Sequence, residues 1–180
     1  MGEAFNWLGW LAESVLSLVP RIVIVRATHG GVKWRRGKHV MLMEPGLHIY
    51  WPIVTDYCVI VTARQTLNLV TQVLTTRDSR KIAVGVVVVY RIADVVLAIG
   101  KVNWDVDTTI SDIAQAAVVS VIASREYNEL LEMLGTGQLG ELLTRATKAE
   151  LRKYGVSVRQ CKPTDFAECR VYKLLLDNNQ

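Results

Sequence analysis

Three His, three Cys and a scatter of carboxylates are the side chains in this sequence that can hold a metal, act as nucleophiles or move protons. His29, His39 and His48 fall on strand or turn positions, and none has a second His or Cys at metal-ligand spacing. Cys161 and Cys169 lack a C-x-x-C partner. With Cys58 they form an odd, sparse set, which implies no disulfide framework and a reducing compartment. Asp105 and Asp107 could act as paired carboxylates, but they precede a helical pattern, where acidic residues cap and complement the helix N-terminus. No nucleophile elbow, phosphate-cradling Gly loop or H-E-x-x-H is present. The expectation is a protein that is not an enzyme, with no cofactor and no metal.

What the sequence does concentrate is positive charge beside apolar surface. Arg21, Arg26, Lys33, Arg35, Arg36 and Lys38 follow one another with no acidic residue before Glu44. The whole chain carries only +4. Apolar burial next to cations is what a segment on an anionic membrane surface needs, which makes Arg21, Lys33, Arg35, Arg36 and Lys38 candidate headgroup contacts. Trp34 among these cations also fits a nucleic-acid module, and Gly37 fits a solvated hairpin turn. A nucleic-acid module has no need of the apolar N-terminus, so no nucleic acid is expected among the partners.

Residues 4–19 read AFNWLGWLAESVLSLV. At helical spacing, Phe5, Leu8, Leu11, Val15, Leu16, Leu18 and Val19 share one half of a helix, while Asn6, Glu13 and Ser17 lie on the other with Trp10. A span needs about 20 apolar residues. This run is shorter, carries Glu13 and meets Pro20, so an in-plane or re-entrant anchor is expected over residues 1–20, with Trp7 and Trp10 at headgroup level. A secretory signal would start with a basic region, which Met1-Gly2-Glu3 does not provide. The rival reading is an ordinary amphipathic helix docked on the domain.

The elements that must position these residues are β-rich first and mixed later. With 180 residues, 51% of them hydrophobic and 21% charged, the chain can bury a core, and disorder is excluded along most of its length. Strands are expected over 21–27, 31–35, 39–43, 47–51, 57–62, 65–75 and 81–92. Gly30-Gly31, Gly37, Pro45-Gly46 and Arg77-Asp78-Ser79 read as the turns between them. The run 83–90 is almost wholly apolar and β-branched and predicts a central strand buried on both faces. A short helix is expected over 94–99. A long one with Ile110, Ile113, Ala114, Ala117, Val118, Val121 and Ile122 follows, capped by Asp107, Thr108 or Ser111. Residues 126–134 continue as a helix that stops at Gly135. Leu139, Leu142, Leu143 and Ala146 mark another, which ends near Tyr154-Gly155. A last strand over 156–160 and a helical tail over 166–176 complete an α+β fold.

Gly31-Val32-Lys33-Trp34-Arg35-Arg36-Gly37 followed by Pro45-Gly46-Leu47-His48-Ile49-Tyr50-Trp51-Pro52 resembles the opening of the SPFH (band 7) domain, the family of stomatins, prohibitins and flotillins. Its usual form is "G-V-x-x-x-x-G", then "P-G-L-H-x-x-x-P". Thr76-Arg77-Asp78 resembles its "T-x-D" turn before a long central strand, and Tyr154-Gly155-Val156-Ser157-Val158 its "G-V-x-V" ending. The likeness covers roughly residues 21–170.

The resemblance implies an SPFH-type domain with a β-rich first subdomain (21–75), an αβ second subdomain (76–165) and a short tail (166–180), all behind the anchoring helix. It implies a scaffold on one membrane face that assembles side by side into a homo-oligomeric ring or cage of many copies; the basic flank at residues 21–38 predicts that this face is the cytoplasmic one. Such a scaffold organises lipid microdomains and membrane proteins. It also implies an alternative, a regulatory subunit of a membrane-bound AAA protease, a channel or a longer SPFH protein. By analogy the loop at Tyr50 and Trp51 is a second membrane contact. Trp51 as a core residue at a strand end stays equally open. Family members usually continue into a long coiled coil. The residues after 166 offer about three helical turns, so a compact member is expected, with Tyr172, Leu174 and Leu175 as candidate contacts between copies.

Overall fold

The computed structural model describes residues 19–102 and 105–169. The anchoring positions Phe5 to Leu18 and the tail positions Tyr172, Leu174 and Leu175 lie outside the described residues. Two units are separable. The first comprises residues up to Ala63 together with Ile92–Val106, the second Arg64–Arg91 with Asp107 onward.

In the first unit β1 (Arg21–Val25) pairs antiparallel with β4 (Gly46–Tyr50). β2 (His29–Arg35) is the middle strand of a second sheet, flanked by β3 (His39–Met43) and β5 (Thr55–Val61). A π-helical segment (Val96–Val102) follows, and the Asp94 carboxylate accepts the Leu97 N–H at 2.9 Å at its start. The β2–β3 turn has the type I′ pattern. Arg36 and Gly37 both take positive φ (52° and 65°), and the Lys38 N–H bonds the Arg35 carbonyl.

Gly30-Gly31 is not a turn. Both residues lie inside β2 and are buried, and their missing side chains explain why. A Cβ on Gly30 would stand 2.8 Å from Val95 Cγ2, and one on Gly31 3.0 Å from the Cys58 carbonyl oxygen. The pair makes room for close approach over a strand rather than reversing it. Val25, Val32 and Met43 of the strands, with Ile92, Val95, Ala98, Ile99 and Val106, form the core of this unit.

The second unit is a three-stranded sheet in the order β6 (Gln65–Thr75), β7 (Lys81–Ile92), β8 (Val156–Glu168). The helices are α1 (Val106–Ala123), α2 (Tyr127–Thr136) and α3 (Gln138–Leu151), with a 3₁₀ turn at Arg152–Tyr154. β6, expected in the first subdomain, pairs with β7 and so belongs to this sheet. β7 is central, as its composition predicts. Ile82, Val84, Val86, Val88 and Tyr90 on one face are buried, whereas Ala83, Val87 and Val89 on the other are half-buried. The core is completed by Ile110, Ala114, Val118 and Ile122 of α1, Leu130 of α2, and Leu139, Leu143 and Leu151 of α3.

Two boundaries differ from expectation. α2 runs past Gly135 and stops at Gly137, whose φ of 78° is the left-handed geometry a helix end uses. β8 runs on through Glu168, so residues 166–168 are strand and not the start of a helical tail. Long-range contacts hold it extended there: the Cys169 N–H bonds the Lys81 carbonyl at 2.9 Å, Asp165 accepts from Thr71, and Phe166 stacks on Tyr127.

The turn between β6 and β7 is also the cap of α2. Asp78 accepts a hydrogen bond from the Thr76 hydroxyl and another from the Tyr127 N–H at the helix start. The Thr76 hydrogen bond is the main reason its carboxyl is held below the ordinary value, and Arg80 beside it adds to the effect. A lowered native-state value means that the stabilisation is complete above the unfolded pKa, about 3.9, and is lost as pH falls through the native value. Asp78→Asn is therefore expected to lower the urea midpoint at neutral pH. The gap between the two proteins should close as pH falls below the ordinary carboxylate value and through the lower native one. A gap that persists unchanged into strong acid would show that the carboxylate charge is not what stabilises the turn.

Candidate functional site

β1 is apolar at both parities after Arg21, RIVIV, and β4, GLHIY, is aliphatic at one, Leu47 and Ile49. In an antiparallel pair, alternate residues point to opposite faces. Val23 and Val25 turn inward. Ile22 lies opposite Ile49, and Ile24 opposite Leu47, on the outward face. All four are exposed, Ile24 by 70%. A two-stranded sheet thus presents a continuous patch of branched aliphatic side chains, the type of exposed apolar surface that marks a contact with a partner or a membrane.

The patch continues into the loop after β4. Trp51 is 51% exposed, which rules out its reading as a core residue, and Ile53 and Val54 are exposed beside it. Tyr50 is half-buried and packs on Tyr57, ring centroids 4.7 Å apart. The side-chain hydrogen bond that the Tyr57 hydroxyl makes to Tyr50 is the main cause that raises the Tyr57 phenol above its ordinary value. The loop is tight, since the Trp51 carbonyl accepts from both Val54 and Thr55. It is also tied to the basic hairpin: the Arg36 N–H donates to the Val54 carbonyl at 2.8 Å. Arg35, Arg36 and Lys38 at the hairpin tip are exposed, Lys33 is half-buried one strand position back, and Arg21 faces Tyr50 across the β1–β4 pair. A concavity of about 590 Å³ at this tip is lined by Arg35, Lys38 and His39 with Val40 and Met41.

The structure therefore brings together three stretches that the sequence presents separately: the cations of 33–38, the aromatic loop at 50–54, and Arg21. The outward Ile22, Ile24, Leu47 and Ile49 were not singled out from the sequence. The signal for them was available, because a strand that is apolar at every position needs a cover on both sides. Among the described residues, no group of three or more His, Cys, Asp or Glu side chains gathers as a metal site. The Cys58 and Cys161 thiols are both pushed up by burial, away from the reactive thiolate form. One helix among the described residues, α1, is long and apolar enough to cross a membrane. Its Ile110, Ala114, Ala117, Val118, Val121 and Ile122 lie in the second unit's core, and its Gln115 bonds Gln72 of β6 at 2.8 Å.

The pattern that defines the SPFH domain / Band 7 family matches residues 23–173. The chain belongs to the SPFH family. This SPFH chain is 30% identical over 162 residues to an uncharacterized protein of Methanocaldococcus jannaschii, covering 87% of this chain and 81% of that protein. It is 29% identical over 152 residues to an uncharacterized protein of Archaeoglobus fulgidus, covering 84% of this chain and 60% of the relative. A stomatin homolog of Pyrococcus horikoshii is 31% identical over 117 residues, 65% of this chain and 44% of its own length. The SPFH chain thus spans well under two thirds of the Pyrococcus relative and somewhat under two thirds of the Archaeoglobus one.

The outward aliphatic patch contributes little to the stability of the unit that carries it. Ile24→Thr with Ile49→Thr keeps β-branched side chains in the strands and is expected to shift unfolding free energy by no more than about 0.5 kcal/mol. Val32→Ala, in the unit's core, should cost about 2 kcal/mol. Chemical denaturation compares the two, and equal losses would mean that the patch is packed rather than free.

Proposed function

We propose that this SPFH protein is a non-enzymatic scaffold of a membrane surface, which assembles side by side into a large ring- or cage-like homo-oligomer and organises lipids and membrane proteins beneath it. The observation that carries the membrane part is the junction of an exposed aliphatic sheet face, the Trp51–Val54 loop and the cationic hairpin tip, held by the Arg36–Val54 hydrogen bond. Apolar side chains set between cations suit the boundary between headgroups and acyl chains. Each fully buried aliphatic side chain contributes about 1.5–3 kcal/mol, and each cation near an anionic surface about 1 kcal/mol. Membership of the SPFH family supports the reading, and the apolar residues 4–19 supply a second attachment. The cytoplasmic face follows from the basic stretch after that run. A protease, a channel or a longer SPFH protein is the class of client such an assembly would hold.

Flotation with anionic vesicles tests the membrane reading. Ile24→Thr/Ile49→Thr with Trp51→Ser should weaken partitioning at least tenfold at any salt concentration. Arg35→Gln/Arg36→Gln should weaken it only at low ionic strength, because salt already screens that attraction. Removal of residues 2–19 should lower it further. Partitioning that survives all three changes would overturn the assignment of the membrane contact to these residues, and no partitioning of the unaltered protein would end the membrane reading. Light scattering on the detergent-extracted protein tests assembly. A discrete particle of many copies is expected, and a monomer or dimer would replace self-assembly with docking on another protein's assembly.

A further inference from the structure

The second unit has a groove of its own, of about 840 Å³, between the start of α3 and the middle of β8. Leu134 and Pro163 give it an apolar floor, with Leu139 buried beneath. Arg145 and Lys148 from α3 and Arg159 and Lys162 from β8 stand around it. All four cations are exposed, and none is paired with a carboxylate among the described residues. Glu141 is the single acid in the lining. Other acids of the unit are engaged elsewhere: Glu150 with Lys153 at 2.7 Å, Asp165 with Thr71 at 3.1 Å, and Glu168 with Arg80 at 3.8 Å.

The groove's walls are fixed in relation to each other. The Cys161 N–H donates to the Thr144 hydroxyl oxygen at 2.8 Å, and that hydroxyl donates to the Gly140 carbonyl at 2.6 Å. A Cβ on Gly140 would lie 3.2 Å from the Cys161 carbonyl oxygen, so the glycine allows the helix to approach the strand this closely. Four like charges in one concavity repel one another, and Arg145 and Lys148, three residues apart, do so along one helix face. A bound anion removes that repulsion, and the low-dielectric floor concentrates the field that attracts it.

We infer that this groove is a binding site for an organic phosphate, an anion of two or more charges with an apolar part next to it. The two guanidinium forks match phosphate oxygens in pairs, the two ammonium groups add point charges, and the floor takes the adjoining ring or hydrocarbon. A lipid headgroup and a soluble organic phosphate share this chemistry. The inference stands apart from the membrane reading, which rests on residues of the first unit.

Calorimetric titration of the full chain in mild detergent tests it, with inorganic pyrophosphate, adenosine monophosphate and phosphatidylcholine mixed micelles with or without phosphatidic acid as probes. Saturable pyrophosphate binding is expected. Arg145→Ala or Arg159→Ala should weaken it about tenfold or more, and Arg159→Lys less than Arg159→Ala. Arg35→Gln/Arg36→Gln should leave it unchanged, which separates this site from the first unit's cations. Adenosine monophosphate binding with the same dependence on the groove arginines assigns a soluble ligand. Binding that needs phosphatidic acid and the same arginines assigns a headgroup. Thermal unfolding verifies that each variant is folded, and Lys162→Gln repeats the test on an exposed strand position. No saturable binding to any probe, or affinity indifferent to the groove variants, would overturn the inference.

Discussion

A sheet two strands wide has two faces and almost no interior. In β1–β4 both faces carry aliphatic side chains: Val23 and Val25 are used inward, beside Arg21, His48 and Tyr50, and Ile22, Ile24, Leu47 and Ile49 are left outward. That surplus of apolar surface is the constraint from which the rest of the first unit is best understood. It cannot be removed by repacking, because the period of two along each strand fixes which residues face out. A one-residue slip would only exchange Val23 and Val25 for Ile22 and Ile24. The surplus has to be covered by something outside the unit or remain in water, and cations gathered at the neighbouring hairpin bias what that cover can be.

The hairpin itself depends on two local features that serve that end. Arg36 accepts a left-handed backbone so that the I′ turn can match the twist of β2 and β3. The same residue's N–H then reaches the Val54 carbonyl. One backbone hydrogen bond thereby places a flexible cationic side chain and a tight aromatic loop at the same end of the unit. Long basic side chains can lay their methylenes along apolar surface while the charge stays in water, so the two kinds of residue do not compete for the same space.

Much of this fold was legible from sequence, for reasons that are local. The β7 run declares itself because only a central strand can bury that many β-branched residues, and the 3.6-residue spacing of Ile110, Ala114, Ala117 and Val121 specifies α1. What was not legible depends on partners distant in the chain. Gly30-Gly31 looks like a turn until Val95 and the Cys58 carbonyl are placed over it. Residues 166–168 look helical until Thr71, Tyr127 and Lys81 hold the strand extended. The cations of 33–38 and the Tyr50-Trp51 loop were each visible, but their meeting is a product of the β2–β5 and β1–β4 pairings, which no periodicity encodes. The groove cations Arg145, Lys148, Arg159 and Lys162 are scattered over two elements and read in sequence as ordinary surface charge.

The two cationic surfaces differ in a way that matters for what each can bind. At the hairpin tip the charges stand beside aliphatic and aromatic side chains that are themselves exposed, so the favourable ligand is an extended surface that takes charge and apolar contact over a broad area. In the α3–β8 groove the charges surround a floor with Leu139 fully buried beneath it, and the walls are held by Thr144 and Gly140. A concave, braced site favours a discrete ligand over a surface, because it encloses what it binds. The edge of β8 argues the same way. Its Cys161 N–H is already taken by Thr144, and Pro163, two residues on, has no N–H to give. A strand from another chain would gain little by adding there. What remains for a partner at that edge is the ring of side-chain charge, which makes anion binding the interaction this face is built to offer.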